Sequence, residues 1–144
     1  MGHKYWVGLV TVAFVLACTV ASEAAVRIAG DPGGYIGRYV HKYQRLRASG
    51  QPVVIDGLCA SACTIVLSSI PANRICVTAQ ANLAFHAAWD FVPRGRPVTN
   101  PGATRRLYSM YPAPVRRWIA DRGGLTPRTI FLHGKPLQAM YRTC

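Results

Sequence analysis

Acidic residues are scarce in this sequence: 5 of its 144 residues are Asp or Glu, against 17 Lys or Arg, for a net charge of +12. Beyond Glu23 the acids are Asp31, Asp56, Asp90 and Asp121. There is no phosphate-binding glycine loop followed by Lys and Ser or Thr. There is no Gly-x-Ser-x-Gly elbow, which disfavours an α/β-hydrolase. Internal repeats and low-complexity runs are absent, and 51% of residues are hydrophobic. Disorder and solenoid architectures are therefore disfavoured. The length suffices for one domain.

The basic excess is arginine-rich and scattered, in pairs such as Arg45 and Arg47, Arg94 and Arg96, Arg105 and Arg106, Arg116 and Arg117. No aromatic stacking motif accompanies them, which disfavours a nucleic-acid partner. Attraction to anionic lipid, wall polymers or acidic substrates is the looser reading.

The N-terminus has the pattern of an export signal. His3 and Lys4 precede an apolar run from Tyr5 to Ala21, and Ser22, Ala24 and Ala25 supply small residues. Residues 1–24 read as a signal peptide and 25–144 as the domain. Two rivals stay open: lipidation at Cys18, which follows a loose lipobox, and retention of the run as a membrane anchor. All three place the domain outside the cytoplasm, periplasmic or secreted. Removing the leader leaves Cys59, Cys63, Cys76 and Cys144, an even number that suits two disulfides in an oxidising compartment. Three pairings are possible. Zinc ligation through Cys59 and Cys63 is the rival, but no second close pair exists.

The rest of the chain alternates strands with helices. Val26–Ala29 reads as a strand, Gly30–Gly34 as a turn and Tyr35–Ala48 as a helix. Pro52–Asp56 is a continuous apolar strand, which suggests a parallel, buried sheet. Gly57–Ala60 turns the chain into a helix over Ser61–Ser69. Ile75–Val77 and Asn82–His86 are further strands. Residues 88–103, rich in Pro and Gly, read as a long loop. Helices are expected over Thr104–Tyr111, over Pro114–Arg122 and from Thr126-Pro127, a cap followed by proline, to about Gly134. The expected fold class is α/β: a small, mostly parallel sheet with flanking helices.

Three segments carry chemistry: Asp31-Pro32-Gly33-Gly34, Gly57-Leu58-Cys59-Ala60-Ser61-Ala62-Cys63, and Leu83-Ala84-Phe85-His86-Ala87. Glycine turns at the carboxyl ends of strands point amides into the crevice above a sheet. A serine at a helix N-terminus lies in the positive end of its dipole. A histidine on a nearby strand can take the serine proton.

Together these segments resemble the Clp-type serine proteases of the crotonase-like superfamily, in an uncharacterised exported branch. The resemblance rests on Pro32-Gly33-Gly34, on Gly57-x-x-Ala60-Ser61, and on His86 following Ser61 by 25 positions (86 − 61). It covers about 60 residues, Val26–Ala87. It implies Ser61 as nucleophile and His86 as general base, with the amides of Gly33 and Ala62 as the oxyanion hole. It implies no metal and no cofactor. Its partners would be a peptide or protein substrate and other copies of the chain, with membrane association through the N-terminal segment. The sequence departs from the family in two respects. The third catalytic residue would be an aspartate from the C-terminal region, and residues 129–137 hold no acid. The family's additional βαβ unit before the Pro-Gly-Gly strand also has no counterpart, so the fold reads as truncated at its front. A catalytically inactive exported binding or assembly protein on the same scaffold is the alternative. Pairing Cys63 with Cys76 would clamp the nucleophile helix, and pairing Cys59 with Cys144 would anchor the tail near the site.

Overall fold

The computed structural model describes Met1, Gly2 and residues 24–144. The segment read from the sequence as a signal peptide, including Cys18, lies outside these residues apart from its ends. No helix among the described residues is long and apolar enough to cross a membrane.

The elements in order are β1 (Val26–Asp31), α1 (Ile36–Ser49), β2 (Val53–Ala60), a 3-10 helix (Ser61–Ile65) running into α2 (Val66–Ser69), a 3-10 turn (Ala72–Arg74), β3 (Ile75–Val77), β4 (Asn82–Phe85), β5 (Trp89–Phe91), β6 (Pro97–Thr99), α3 (Pro101–Met110), α4 (Ala113–Ala120), β7 (Ile130–His133), α5 (Gly134–Gln138) and β8 (Arg142–Thr143). This is a mixed α/β fold around one curled sheet. β2 is its centre. β1 runs parallel along one edge of β2 from Val26↔Val53 to Asp31↔Cys59. The other edge is shared: β3 pairs with Val53–Ile55 and β4 with Leu58–Ala60, both parallel. β8 extends the β3 end in parallel, and β7 extends the β4 end antiparallel.

α1 forms where an apolar face recurs at helical spacing. Tyr43 and Leu46 are buried, while Ile36, Tyr39 and Val40 pack at the core margin. Gly50 ends the helix in a left-handed conformation, its amide returning to the Arg47 carbonyl. Toward α4 the same core becomes aromatic. Phe85 packs edge-on to Tyr111, with ring centroids 5.3 Å apart, and against Trp118.

Several elements differ from the sequence expectation. Gly57–Ala60 is not a turn but the second half of β2. The strand continues because a bulge lies at Gly57, where β1 and β2 lose register between Ile28 and Gly30. A Cβ at Gly57 would lie 2.0 Å from the Ala29 carbonyl oxygen, so only glycine permits the approach. Residues 88–103 are not one loop: Trp89–Phe91 and Pro97–Thr99 pair as a hairpin, and α3 begins at Pro101. The helix expected from Thr126 is absent. Ile130–His133 is instead a strand, because its Ile, Phe and Leu pair across β4 and bury Leu132. Tertiary pairing overrides the local cap signal there.

The four cysteines form two disulfides, as the even count suggested, but in a different pairing. The bonds are Cys59–Cys63 and Cys76–Cys144, with Cα separations of 5.3 and 5.0 Å. Cys63–Cys76 and Cys59–Cys144 are therefore corrected. Cys76 aligns with Val54, at the opposite end of β2 from Cys59, five residues or roughly 17 Å along a strand. Cys144 is held near Cys76 because β8 adds to β3, with the Cys144 amide donating to the Val77 carbonyl at 3.1 Å. With Cys59 and Cys63 bonded to each other, neither is free as a zinc ligand. Two such bonds are compatible with an oxidising compartment.

Candidate active site

β1, β2 and β4 are adjacent and parallel, and they end at one edge of the sheet. Asp31 aligns with Cys59, and Ala60 aligns with Ala84. Just past these ends come Gly33, Ser61 and His86, each following its own strand by two residues or fewer. Adjacent strands lie about 5 Å apart. The three segments singled out in the sequence thus converge.

Ser61 begins the 3-10 helix with φ +53°, the left-handed region that a side chain enters only at a cost of about 1 kcal/mol or more. Such backbone geometry persists only where the surroundings over-determine it. Three constraints do so here. The Cys59–Cys63 bond bridges the residues on either side. The Thr64 hydroxyl donates to the Ser61 carbonyl at 2.6 Å and also bonds the buried Tyr111 hydroxyl. On the third side stands Gly33, at φ +87°. A Cβ there would lie 2.4 Å from the Ala60 oxygen, 2.7 Å from Ser61 Cβ and 3.0 Å from the Ala62 nitrogen. Glycine is therefore required twice over, for its φ and for the contact.

The Gly33 amide donates to Asp31 Oδ1 at 3.0 Å. Asp31 also accepts from the Tyr39 hydroxyl and from Lys42. Burial alone would raise the Asp31 carboxyl, but the bonds from Tyr39, Gly33 and Lys42 outweigh it and hold it below the ordinary carboxylate value. Burial first, and then the Asp31 carboxylate, push the Tyr39 hydroxyl up to about 12. The Ala62 amide lies in the first helical turn, where no helical acceptor exists for it.

His86 is half-buried. Its Nδ1 lies 2.7 Å from the Ala87 carbonyl oxygen. A carbonyl only accepts, so in the neutral imidazole this bond places the proton on Nδ1 and leaves the lone pair on Nε2. The loop beyond is tied down at three points: the Ala87 amide donates to Thr126 O, the Asn100 amide to Ala88 O, and the Ala88 amide to the Thr104 hydroxyl. Among the described residues no hydrogen bond joins Ser61 Oγ to His86, and no carboxylate hydrogen-bonds or ion-pairs with His86. Asp90 accepts from the Asn100 side chain, Asp56 pairs with Arg27 and Thr78, and Asp121 lies exposed after α4. Among the described residues no cluster of His, Cys, Asp or Glu is arranged to hold a metal ion.

The sequence singled out Gly33, Ser61, Ala62 and His86, and the structure places these positions beyond adjacent strand ends. The sequence did not point to Thr64 or Tyr111, which hold the Ser61 turn, or identify Ala87 as the carbonyl beside His86. The Thr64–Tyr111 contact spans 47 positions, and no local pattern announces it. The chain matches no protein-family model and no curated protein.

Proposed function

We propose that the protein is an exported serine hydrolase, most simply a peptidase, built on a pared-down Clp/crotonase-like scaffold. The observation that carries this reading is the common edge of β1, β2 and β4, which gathers Gly33, Ser61 and His86 while Ser61 is held at positive φ. In the reaction His86 Nε2 takes the Ser61 Oγ proton as Oγ bonds to the substrate carbonyl carbon. The carbonyl π electrons move to oxygen, and amides at Gly33 and Ala62 receive that charge. Collapse expels the leaving amine, protonated by His86, and leaves an acyl-serine. Water, deprotonated by His86, then releases the acid and restores Ser61. The Ala87 carbonyl fixes the imidazole tautomer in place of an aspartate, at a cost in rate because it carries no full charge. On this reading the domain works outside the cytoplasm, assembles with other copies of itself, and associates with a membrane if its leader is retained or lipidated.

A catalytically inactive binding or assembly role is the second reading. One observation favours it: the Gly33 amide is already committed to Asp31, so the oxyanion hole forms only if that bond is released or shared. A fluorophosphonate probe separates the two. The hydrolase reading expects oxidised protein to be labelled, and labelling to be lost in both Ser61→Ala and His86→Ala. Wild type that stays unlabelled over days leaves the scaffold reading standing.

A further inference from the structure

A cleft of about 850 Å3 lies between α1 and α3, with Ser61 not among its lining residues. Its mouth is anchored to the site on both sides. Ile36 and Gly37 begin α1 only three and four residues after Gly33, and Asn100, the cap of α3, is bonded to Ala88, two residues after His86. A second cleft of about 270 Å3 continues from it, sharing Val40 and Met110 and ending at Arg47 and Ser68. Together they form a groove along α1 from Ile36 to Arg47. That is 11 helical steps, roughly 17 Å, enough for about five residues of extended chain.

The walls have two characters. Ile36, Val40, Ala103 and Met110 are apolar. His41, Arg47 and Arg106 supply donors and positive charge. None of Asp31, Asp56, Asp90 and Asp121 lines the groove, and the Arg106 guanidinium has no carboxylate partner among the described residues. Gly37 leaves the mouth open, since a Cβ there would meet nothing within 4 Å. An extended peptide presents its side chains alternately to opposite sides. It can therefore set apolar groups on Val40 and Met110 while acidic groups face Arg106, His41 and Arg47.

We propose that this groove binds an extended peptide segment of about five residues in which acidic and apolar side chains alternate. The proposal rests on the hydrolase reading only for what becomes of the segment, which would be delivered to Ser61 as substrate. Binding itself does not need the chemistry.

The test therefore uses oxidised Ser61→Ala protein and a fluorescein-labelled pentapeptide alternating leucine with glutamate, followed by anisotropy. The comparison peptide carries glutamine in place of glutamate. The acidic peptide should bind the tighter of the two, and Arg106→Glu should weaken it by about tenfold or more, the loss of a charge-assisted contact. Arg128→Glu changes net charge equally on an exposed segment outside the groove, so it controls for general attraction to a +12 chain. Equal losses in the two variants overturn the proposal. So does equal binding of the two peptides. A groove closed by a second copy, seen as a sedimentation change in Arg106→Glu without peptide binding, also overturns it. Wild-type labelling by fluorophosphonate is scored separately, so the groove and the chemistry fail independently.

Discussion

Replacing Gly33 by alanine tests whether Ser61 is held in place from outside its own helix. The new methyl carbon would sit 2.4 Å from the Ala60 oxygen and 2.7 Å from Ser61 Cβ, and both neighbours are fixed, one in the backbone and one bonded directly to it. Ordinary contact begins near 3.4 Å, so the Gly33 turn and the Ala60–Ser61 segment must part by about 1 Å. Two costs add. A left-handed φ for alanine costs about 1–2 kcal/mol, and overpacking a close contact about 1–3 kcal/mol. The sum, roughly 3 kcal/mol, lowers Tm by about 12 °C at about 4 °C per kcal/mol for a domain of this size. Gly34→Ala is the matched control. A Cβ there meets only Tyr39 Cε2 at 3.6 Å, so its effect stays below about 1 kcal/mol. Differential scanning calorimetry of the three proteins, with fluorophosphonate labelling in parallel, decides the matter. If Gly33→Ala melts with Gly34→Ala and labels like wild type, Ser61 is not braced by this turn.

The two disulfides should separate by loop length. On chain entropy, removing Cys76–Cys144, which spans 68 positions, costs about 4 kcal/mol, and removing Cys59–Cys63, which spans 4, costs about 2 kcal/mol. Urea denaturation of the paired Cys→Ser variants measures both; the short bond should matter more for labelling at Ser61 than for stability, and the opposite order contradicts the assignment. Asp31 should show in acid. Its carboxyl lies below the ordinary value when folded, so its stabilisation is complete above about pH 4 and is lost as pH falls through the folded value. Asp31→Asn should be less stable at neutral pH and have a shallower acid limb in Tm against pH. A limb identical to wild type would mean that Tyr39, Gly33 and Lys42 do not hold the carboxylate in solution.

What the sequence made legible was local. The face of α1 ending at Gly50, the apolar run Val53–Ile55, and the placing of Gly33, Ser61 and His86 at or just past strand ends all follow from short-range pattern. Partners distant in sequence were not legible. Ile130–His133 is a strand only because β4 lies beside it, and Thr126-Pro127 carries a genuine start signal for a helix that never forms. The hairpin of Trp89–Phe91 and Pro97–Thr99 is short and bracketed by Pro and Gly, which masks its alternation. The disulfide pairing depends on β8 joining β3, which nothing in the cysteine spacing reveals. Within the site, the side chains were readable and the braces were not, because Thr64 meets Tyr111 and Gly33 meets Ala60 only after the sheet has closed.

The division of β2 between β3 and β4 has a consequence for how the molecule can vary. The half of β2 that meets β3 is joined, through β8 and Cys144, to the chain's end. The half that meets β4 carries Ser61 and is supported by β7. Gly57 lies between them, where the ladder with β1 is interrupted. Changes at the tail can therefore alter how long the protein survives without re-aiming Ser61, and changes around β4 and β7 can re-aim it without loosening the tail. A sheet divided in this way lets durability and the setting of Ser61 vary separately within one small domain.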